Sequence, residues 1–143
     1  GLRQVFYVSE ARIDGIQQID RLLRACIDNN TRNGLSGLLL YTGDHFAQVI
    51  EGPGTAVDEV MVRIARDSRH TRMRQLAAKP VTSRSFGEWA MKMVMEADVD
   101  DQLHRLVSAA QPSLAQTARV FDLIRRLADA QRDATADRRA LAA

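Results

Sequence analysis

Residues 29–52 read NNTRNGLSGLLLYTGDHFAQVIEG, and this stretch decides the fold. Gly34 follows a helical run and marks its end, and the apolar run up to Tyr41 predicts a strand. Residues 42–44, TGD, predict a tight turn, and the alternation of apolar and polar residues after it predicts a second strand. The stretch therefore predicts the end of a helix followed by an antiparallel hairpin.

Two amide side chains of this stretch lie on faces that ought to be apolar. Gln48 falls between Phe46 and Ile50 on one strand face, because strand side chains repeat every second residue. Asn30 prolongs the apolar stripe of the preceding helix at steps of three and four residues. A buried amide needs a hydrogen-bond partner, so the two amides either satisfy protein groups or point at one buried polar ligand. The stripe that Asn30 prolongs consists of Ile16, Ile19, Leu22 or Leu23, and Cys26.

The composition is typical of a globular chain with one core. The chain has 143 residues, of which 45% are apolar and 27% are charged, and this suits a single domain with a helical appendage. A net charge of +2 is too small to indicate a nucleic-acid partner. A lone cysteine, Cys26, excludes an internal disulfide and fits a reducing cytoplasm. No apolar run approaches the length of a membrane span, so we expect a cytoplasmic protein that does not cross a membrane.

Strand and helix patterns alternate on both sides of the hairpin. The apolar run over residues 2–9 predicts a first strand, and the stripe from Ile13 to about Asn30 predicts a helix. Residues 55–58, TAVD, have the spacing of a capping box and open a second helix that ends near Asp67. Residues 73–81 and the alternating stretch 89–95 supply a fourth and a fifth strand. The order predicts an α+β, ferredoxin-like βαββαββ sheet domain with two helices on one face.

The sequence pattern changes from strands to amphipathic helices after Asp98. Residues 98–110 predict a short amphipathic helix, which Pro112 ends, and Ser113 caps a second helix that gives way to a frayed tail or a helix extension beyond Asp129. Two such helices would be marginal alone, so we expect them to cap the open face of the sheet. The sheet domain thus spans 1–96 and the C-terminal helical extension 97–143. The two apolar stripes are Leu103, Leu106 and Val107, and Leu114, Phe121 and Ile124.

Common catalytic and metal-binding patterns are missing from the sequence. It has neither of the common glycine-rich phosphate loops and no Gly-x-Ser-x-Gly motif. His45, His70 and His104 lie in separate predicted elements without Cys or carboxylate partners at metal-ligand spacing, so we expect no metal site. The segment after the sheet is also too short for a catalytic domain. We therefore expect that this protein is not an enzyme.

Short motifs stand in an order that is much more specific than any one of them. They are YVS at 7–9, NN at 29–30, GLSGLLLY at 34–41, FAQVIEG at 46–52, RDSRH at 66–70, RSF at 84–86 and WAM at 89–91. Over roughly residues 2–95 this set resembles the BLUF family, the blue-light sensors that bind FAD. The resemblance is greatest to the short stand-alone members, in which a small helical cap follows the sheet domain.

The resemblance implies a flavin site between the two helices and the sheet. Tyr7 matches the family's photoactive tyrosine, and Gln48 matches the glutamine that lies between it and the flavin. Leu22 and Ile64 match the residues that sandwich the isoalloxazine ring, and Asn30 matches the asparagine at its polar edge. The other matches at cofactor-binding positions are Asn29, Asp67, Arg69 and His70.

The activity that the resemblance implies is photochemical. Tyr7 supplies an electron and a proton to the excited flavin, and Gln48 acts as the relay and is left rotated or tautomerised. Trp89 and Met91 match positions implicated in signal output. The helices after Asp98 could then alter contact with a separate partner protein or with a second copy of the chain as a homodimer. FAD is the implied cofactor, although FMN or riboflavin could fill the site in a given preparation.

Two other classes of function stay open at this stage. A ferredoxin-like enzyme for small phosphorylated or acyl substrates could use Arg69 and Asn30 to hold an anion and a water. A protein-interaction module would bind no ligand at all. Colour separates these classes, because only the flavin protein should purify yellow.

Overall fold

The first strand is buried on both faces because helices cover both sides of the sheet. In the computed structural model, which describes residues 1–143, residues 4–9 of β1 (Leu2–Ala11) are all buried. The other elements follow in the predicted order. They are α1 (Ile16–Asn33), β2 (Ser36–Tyr41), β3 (His45–Pro53), α2 (Gly54–Ala65), β4 (His70–Val81), β5 (Lys92–Met95), a 3₁₀ turn (Ala97–Val99), α3 (Asp100–Ser108) and α4 (Leu114–Ala142).

The five strands form one mixed sheet in the order β4-β1-β3-β2-β5. Strand β1 runs antiparallel to both β3 and β4, and β2 and β3 form the predicted antiparallel hairpin. Strand β5 is parallel to β2 at the edge of the sheet. The predicted α+β, ferredoxin-like fold is therefore confirmed. In the register of β1 and β3, Tyr7 stands directly opposite Gln48.

Strand alternation divides the buried residues between two cores. Tyr7, Leu39 and Ile50 belong to the core under α1 and α2, where they join Val57 and Val60. Their neighbours on the same strands belong to the opposite core, together with residues of α3 and α4. The C-terminal helices therefore cap the face that α1 and α2 leave open. This second core includes Phe6, Val8, Leu38, Leu40, Val49, Leu103, Leu106, Val107, Val120 and Ile124.

The last helix is a single element of 29 residues rather than a short helix with a frayed tail. Ser113 caps it as predicted and accepts a hydrogen bond from the Gln116 backbone N–H at 3.3 Å. Alanine and arginine, both good helix formers, continue the helix past Asp129. Leu114 is 86% exposed, contrary to prediction, because the buried stripe of α4 begins only at Val120. Despite its length α4 is not apolar enough to cross a membrane, and neither is any other helix.

Both helices over the first face begin differently from prediction. Helix α2 begins at Gly54 without a side-chain cap. Asp58, the acidic residue of the predicted capping box, pairs instead with Arg3 of β1. Ile16, in the first turn of α1, is 76% exposed, so the buried part of that stripe starts at Ile19. Long-range contacts thus override the local patterns at these two helix starts.

The fifth strand is shorter than predicted, because only residues 92–95 pair with β2. Trp89 precedes the strand, and its carbonyl accepts a hydrogen bond from the Gly37 backbone N–H at 3.0 Å. No side chain fits at Gly37, since a Cβ there would lie 2.1 Å from the carbonyl oxygen of Val49. Strand β4, in contrast, begins earlier than predicted, at His70. The chain therefore approaches β2 as an irregular segment before it becomes a strand.

Truncation of Ile124 should destabilise the protein far more than truncation of an exposed leucine on the same helix. Ile124 is fully buried, so Ile124→Ala should lower the free energy of unfolding by about 2–4 kcal/mol. Leu114→Ala removes an exposed side chain and should change it by less than about 0.5 kcal/mol. Urea unfolding followed by far-UV circular dichroism measures both values. Equal effects would contradict the described docking of α4.

Candidate functional site

The two helical layers differ in how tightly they cover the sheet. Leu103 and Leu106 of α3 are fully buried, whereas Leu22 and Cys26 of α1 and Ile64 of α2 are only half-buried. Between α1, α2 and the sheet lies a cleft with a volume of about 190 Å³. The loosely packed layer therefore holds the candidate site.

The cleft gathers residues from both helices, four strands and the turn after α2. Every residue that the sequence assigns to the photochemical pair or the cofactor site lies on its surface: Tyr7, Leu22, Asn29, Asn30, Gln48, Ile64, Asp67, Arg69 and His70. Their role in holding a cofactor stays a prediction. The motifs did not point to the other lining residues. Helix and strand periodicity nevertheless places most of the apolar ones on the faces of α1, α2 and the sheet that line the cleft. They are Ala25, Cys26, Leu39, Phe46, Ile50, Val60 and Arg63.

A hydrogen-bonded pair forms the floor of the cleft. Tyr7 and Gln48 are 4% and 3% exposed, and the Tyr7 hydroxyl donates to Gln48 Oε1. Gln48 Nε2 donates in turn to Met91 Sδ at 3.4 Å. Burial raises the pKa of Tyr7 far above its ordinary value, and the nearby Cys26 and Asp67 act in the same direction. The phenol is therefore neutral and keeps its proton for the hydrogen bond.

The two neighbouring asparagines of α1 bind different parts of the protein. Asn30 Nδ2 donates to the carbonyl of Ala90 at 2.7 Å, which ties the end of α1 to the segment before β5. Asn29 Oδ1 accepts from the guanidinium of Arg63 on α2 and from Asn33 Nδ2 at 3.1 Å. Arg63 thus links the two helices at the cleft. Nothing in its spacing distinguishes it from an ordinary helix-surface arginine, so the sequence did not predict this contact.

Asp67 and Arg69 form a compact ion pair in the turn after α2. Arg69 Nε and Nη2 donate to the two carboxylate oxygens at 2.9 and 2.7 Å, and the Arg69 backbone N–H donates to Asp67 Oδ1 at 2.9 Å. The side-chain hydrogen bonds hold the pKa of Asp67 below its usual range and raise the pKa of Arg69. The pair is therefore charged at neutral pH. The guanidinium has five N–H donors, so donors remain for a ligand in the cleft.

His70 joins three elements with its two ring nitrogens. Its Nε2 donates to the carbonyl of Ile64 at the end of α2, at 2.5 Å. In the neutral ring Nδ1 is then an acceptor, and the Ser9 hydroxyl of β1 donates to it at 2.8 Å. The ring also stands edge-on to Tyr7, with the centroids 6.0 Å apart. His70 therefore holds β1, β4 and α2 together beside Tyr7 and Gln48.

Trp89 and Met91 lie on opposite sides of the sheet layer. Met91 is buried in the core under α1 and α2 and accepts the hydrogen bond from Gln48, whereas Trp89 packs against the core under α3 and α4. The guanidinium of Arg132 in α4 lies over the Trp89 ring, 5.2 Å from its centroid. A regular strand would put residues 89 and 91 on the same face. They diverge because the segment that carries them is irregular, which the alternating sequence pattern concealed.

Comparison with known proteins agrees with this architecture. A family model described as sensors of blue light using FAD matches residues 2–92. The dark-state structure of BlrB, a BLUF protein, has a TM-score of 0.75 and 33% sequence identity with this chain. The similarity covers 90% of this chain and 96% of that one. It therefore includes most of the C-terminal helical region as well as the sheet domain.

Curated relatives match about two thirds of this chain. The photoactivated adenylate cyclase subunit beta of Euglena gracilis is 35% identical over 94 residues, which is 64% of this chain and 11% of the relative. The blue light- and temperature-regulated antirepressor BluF of Escherichia coli (strain K12) is 29% identical over 93 residues, 64% of this chain and 23% of the relative. The chain thus spans less than a quarter of these relatives. Because the family model covers residues 2–92 and the fold matches a solved BLUF protein over 90% of its length, this chain belongs to the BLUF family of blue-light sensors.

Proposed function

We propose that the chain is a blue-light photoreceptor that binds one flavin noncovalently in the cleft between α1, α2 and the sheet. The observation that carries the proposal is the buried hydrogen bond between Tyr7 and Gln48 at the floor of a loosely packed cleft. The neutral phenol of Tyr7 supplies a movable proton. The Gln48 amide supplies an acceptor oxygen at one end and a donor nitrogen at the other. This pair is what a light-driven hydrogen-bond switch requires.

The chemistry of the cleft residues fits a flavin. Leu22 and Ile64 offer apolar surface from opposite helices, which suits the two faces of a planar ring. Asn30, Gln48 and Arg69 offer polar groups for the ring heteroatoms. Arg63 adds a cation between the helices, which supports a phosphate-bearing flavin, and we infer FAD. Asn29, Asp67 and His70 complete the proposed site and hold these groups in place.

The switch resides in the orientation of one amide. When bound, the flavin absorbs blue light and supplies an excited state that accepts an electron. In the described arrangement Tyr7 holds the proton at its hydroxyl and donates toward Gln48 Oε1. Rotation of the amide turns Nε2 toward Tyr7 and Oε1 toward Met91 Sδ, so the Tyr7 oxygen becomes an acceptor and the sulfur loses its donor. Since one hydrogen bond contributes about 1 kcal/mol, the two orientations differ by only a few kcal/mol.

The output unit of the photoreceptor is the C-terminal part of the chain. We infer that residues 1–96 bind the flavin and that residues 97–143 carry the signal, with Trp89 and Met91 at the junction. The effector is a separate protein or a second copy of the chain in the cytoplasm. Two relatives are named as a cyclase subunit and an antirepressor, which supports effectors that differ from one protein to another.

One contact disfavours the enzyme that the sequence left open. The Asp67 carboxylate lies against Arg69 and opposes the approach of an anionic substrate. We therefore infer that this chain acts as a sensor and not as an enzyme.

The purified protein should be yellow and should release flavin on heating or acidification. Chromatography against FAD, FMN and riboflavin should identify FAD at about one per chain. Ile64→Trp fills the cleft and should weaken flavin binding at least about tenfold. Val62→Trp on the same helix is the matched control, because Val62 is 52% exposed and outside the cleft. A folded protein that takes up no FAD would contradict the proposal.

Tyr7→Phe and Gln48→Leu should retain the flavin but lose its small reversible red shift in blue light. The first variant removes the movable proton, and the second removes the amide whose orientation is proposed to switch. Tyr41→Phe is the control, since the Tyr41 hydroxyl donates to the Gly43 carbonyl at 2.8 Å, away from the cleft. Absorption spectra before and after illumination measure the shift. A normal shift in either cleft variant would show that its residue has no part in the switch.

The stability of the protein should fall as the pH rises above about 10, the ordinary pKa of tyrosine. Burial raises the pKa of Tyr7 in the folded state, so in this range the unfolded chain releases a proton that the folded chain retains. The stabilisation by the neutral phenol is complete below that pH and is lost above it. Tyr7→Phe should therefore lose less stability between about pH 8 and pH 11. Urea unfolding across this range tests the difference, and an equal decline in both proteins would refute it.

A further inference from the structure

A buried carboxylate holds the segment that precedes β5, residues 83–91, to the sheet. Glu51 of β3 is fully buried, and its two oxygens accept hydrogen bonds from the backbone N–H groups of Ser85 at 2.9 Å and Phe86 at 2.8 Å. Hydrogen bonds to a charged acceptor are stronger than those between neutral groups. The beginning of segment 83–91 is therefore attached firmly to the strand that carries Gln48.

The end of segment 83–91 contacts the cleft side. The Ala90 carbonyl accepts from Asn30 Nδ2 at 2.7 Å, and Met91 Sδ accepts from Gln48 Nε2 at 3.4 Å. A change in the orientation of the Gln48 amide removes the donor to the sulfur. The end of the segment thus responds to the amide, while its beginning lies on the opposite side of the sheet.

One residue of α4, Arg132, binds the same segment from the side of the sheet that α3 and α4 cover. Arg132 Nη2 donates to the Ser85 carbonyl at 2.6 Å, and Nε and Nη2 donate to the Glu88 carboxylate at 2.7 and 2.8 Å. Its Nη1 donates to Asp129 Oδ1 at 2.8 Å, and the guanidinium lies over the Trp89 ring. The hydrogen bonds from Arg132 hold the pKa of Glu88 below its usual range, so the pair is charged at neutral pH. A lysine has no planar fork and cannot reproduce this set of contacts.

Arg132 is the one residue of α4 whose side chain hydrogen-bonds the sheet domain. The other contacts of α4 with that domain are apolar, and its last buried residue is Ala128. Apolar contacts impose no direction, whereas the guanidinium requires Ser85 and Glu88 in fixed positions. Arg132 therefore makes the last hydrogen bonds between α4 and the sheet domain before the helix ends.

We propose that Arg132 is a positioning residue that couples segment 83–91 to the C-terminal part of α4, residues 129–142. In the described arrangement the hydrogen bonds of Arg132 to Ser85 and Glu88 are formed and hold that part of the helix in place. When the Gln48 amide reorients, displacement of the end of the segment withdraws Glu88 and Trp89 from the guanidinium, while Ser85 stays held by Glu51. Loss of the Glu88 contacts then releases residues 129–142. This coupling rests on the photoreceptor function proposed above, and it makes residues 129–142 the element that a partner protein reads.

Hydrogen exchange of the full flavin-bound chain, in the dark and under blue light, tests the coupling in Arg132→Gln. Glutamine favours helices and lacks the charged fork, so the variant should fold and keep the flavin red shift. We expect amides 129–142 to exchange about two- to fivefold faster than in the dark wild type, as expected for the loss of a partly exposed ion pair. Light should cause no further increase. Arg132→Lys keeps the charge without the fork and should behave in the same way.

Arg125→Gln is the matched control on the same helix, because Arg125 stacks on Phe121 of α4 itself, 4.9 Å from the ring centroid. It should keep the wild-type difference between light and dark. The coupling is overturned if Arg132→Gln shows that same difference over residues 129–142 while its flavin shift is intact. It is also overturned if the wild type shifts its flavin spectrum but not its exchange in this region. A wild type without any flavin shift would instead contradict the photoreceptor function, and the spectrum distinguishes the two failures.

Discussion

The central strands β1 and β3 bury side chains on both faces, so the sheet needs a helical layer on each side. Helices α3 and α4 satisfy this need completely, with Leu106 and Ile124 fully removed from water. Helices α1 and α2 satisfy it incompletely, because Leu22 and Ile64 are only partly buried along the cleft. A planar apolar ligand would cover that surface and complete the second layer. The requirement that stabilises the fold thus also explains why a cleft lies on one face and a helical cap on the other.

Strand β3 connects these two layers because its successive side chains point to opposite faces. Gln48 faces the cleft and meets Tyr7, whereas Glu51, an odd number of residues later, faces the cap side. There its carboxylate holds the backbone of Ser85 and Phe86. Strand β3 therefore carries both the Gln48 amide, which we propose as the switch, and the anchor of the segment that contacts α4. A signal between the two faces needs no long path through the core.

Segment 83–91 is held to the sheet by directional hydrogen bonds from several elements rather than by a strand ladder. Hydrogen bonds from Asn30, Gln48 and Gly37 meet its end, and Arg132 meets its middle. The residues between Trp89 and Met91 are held by single hydrogen bonds, so a change there need not move the whole sheet, whereas a regular strand would move only as part of it. The irregular geometry before β5 thus has a physical role in the proposed output.

Local periodicity in the sequence determined the order of the elements, the faces of the strands and the apolar stripes of α1, α3 and α4, apart from the first residues of two helices. The motif set, read as a family resemblance, named every polar cleft residue except Arg63. Beyond Asp129 the sequence left a frayed tail and a helix extension open, and the structure has the extension. The contacts of Arg63 and Arg132 and the opposite orientations of Trp89 and Met91 came only from the tertiary structure. The physical reason is distance along the chain: Asn30 and Ala90 are 60 residues apart, and Glu88 and Arg132 are 44 apart. No repeat of two or of 3.6 residues encodes such pairs, because they form only after the sheet has brought its covering segments together.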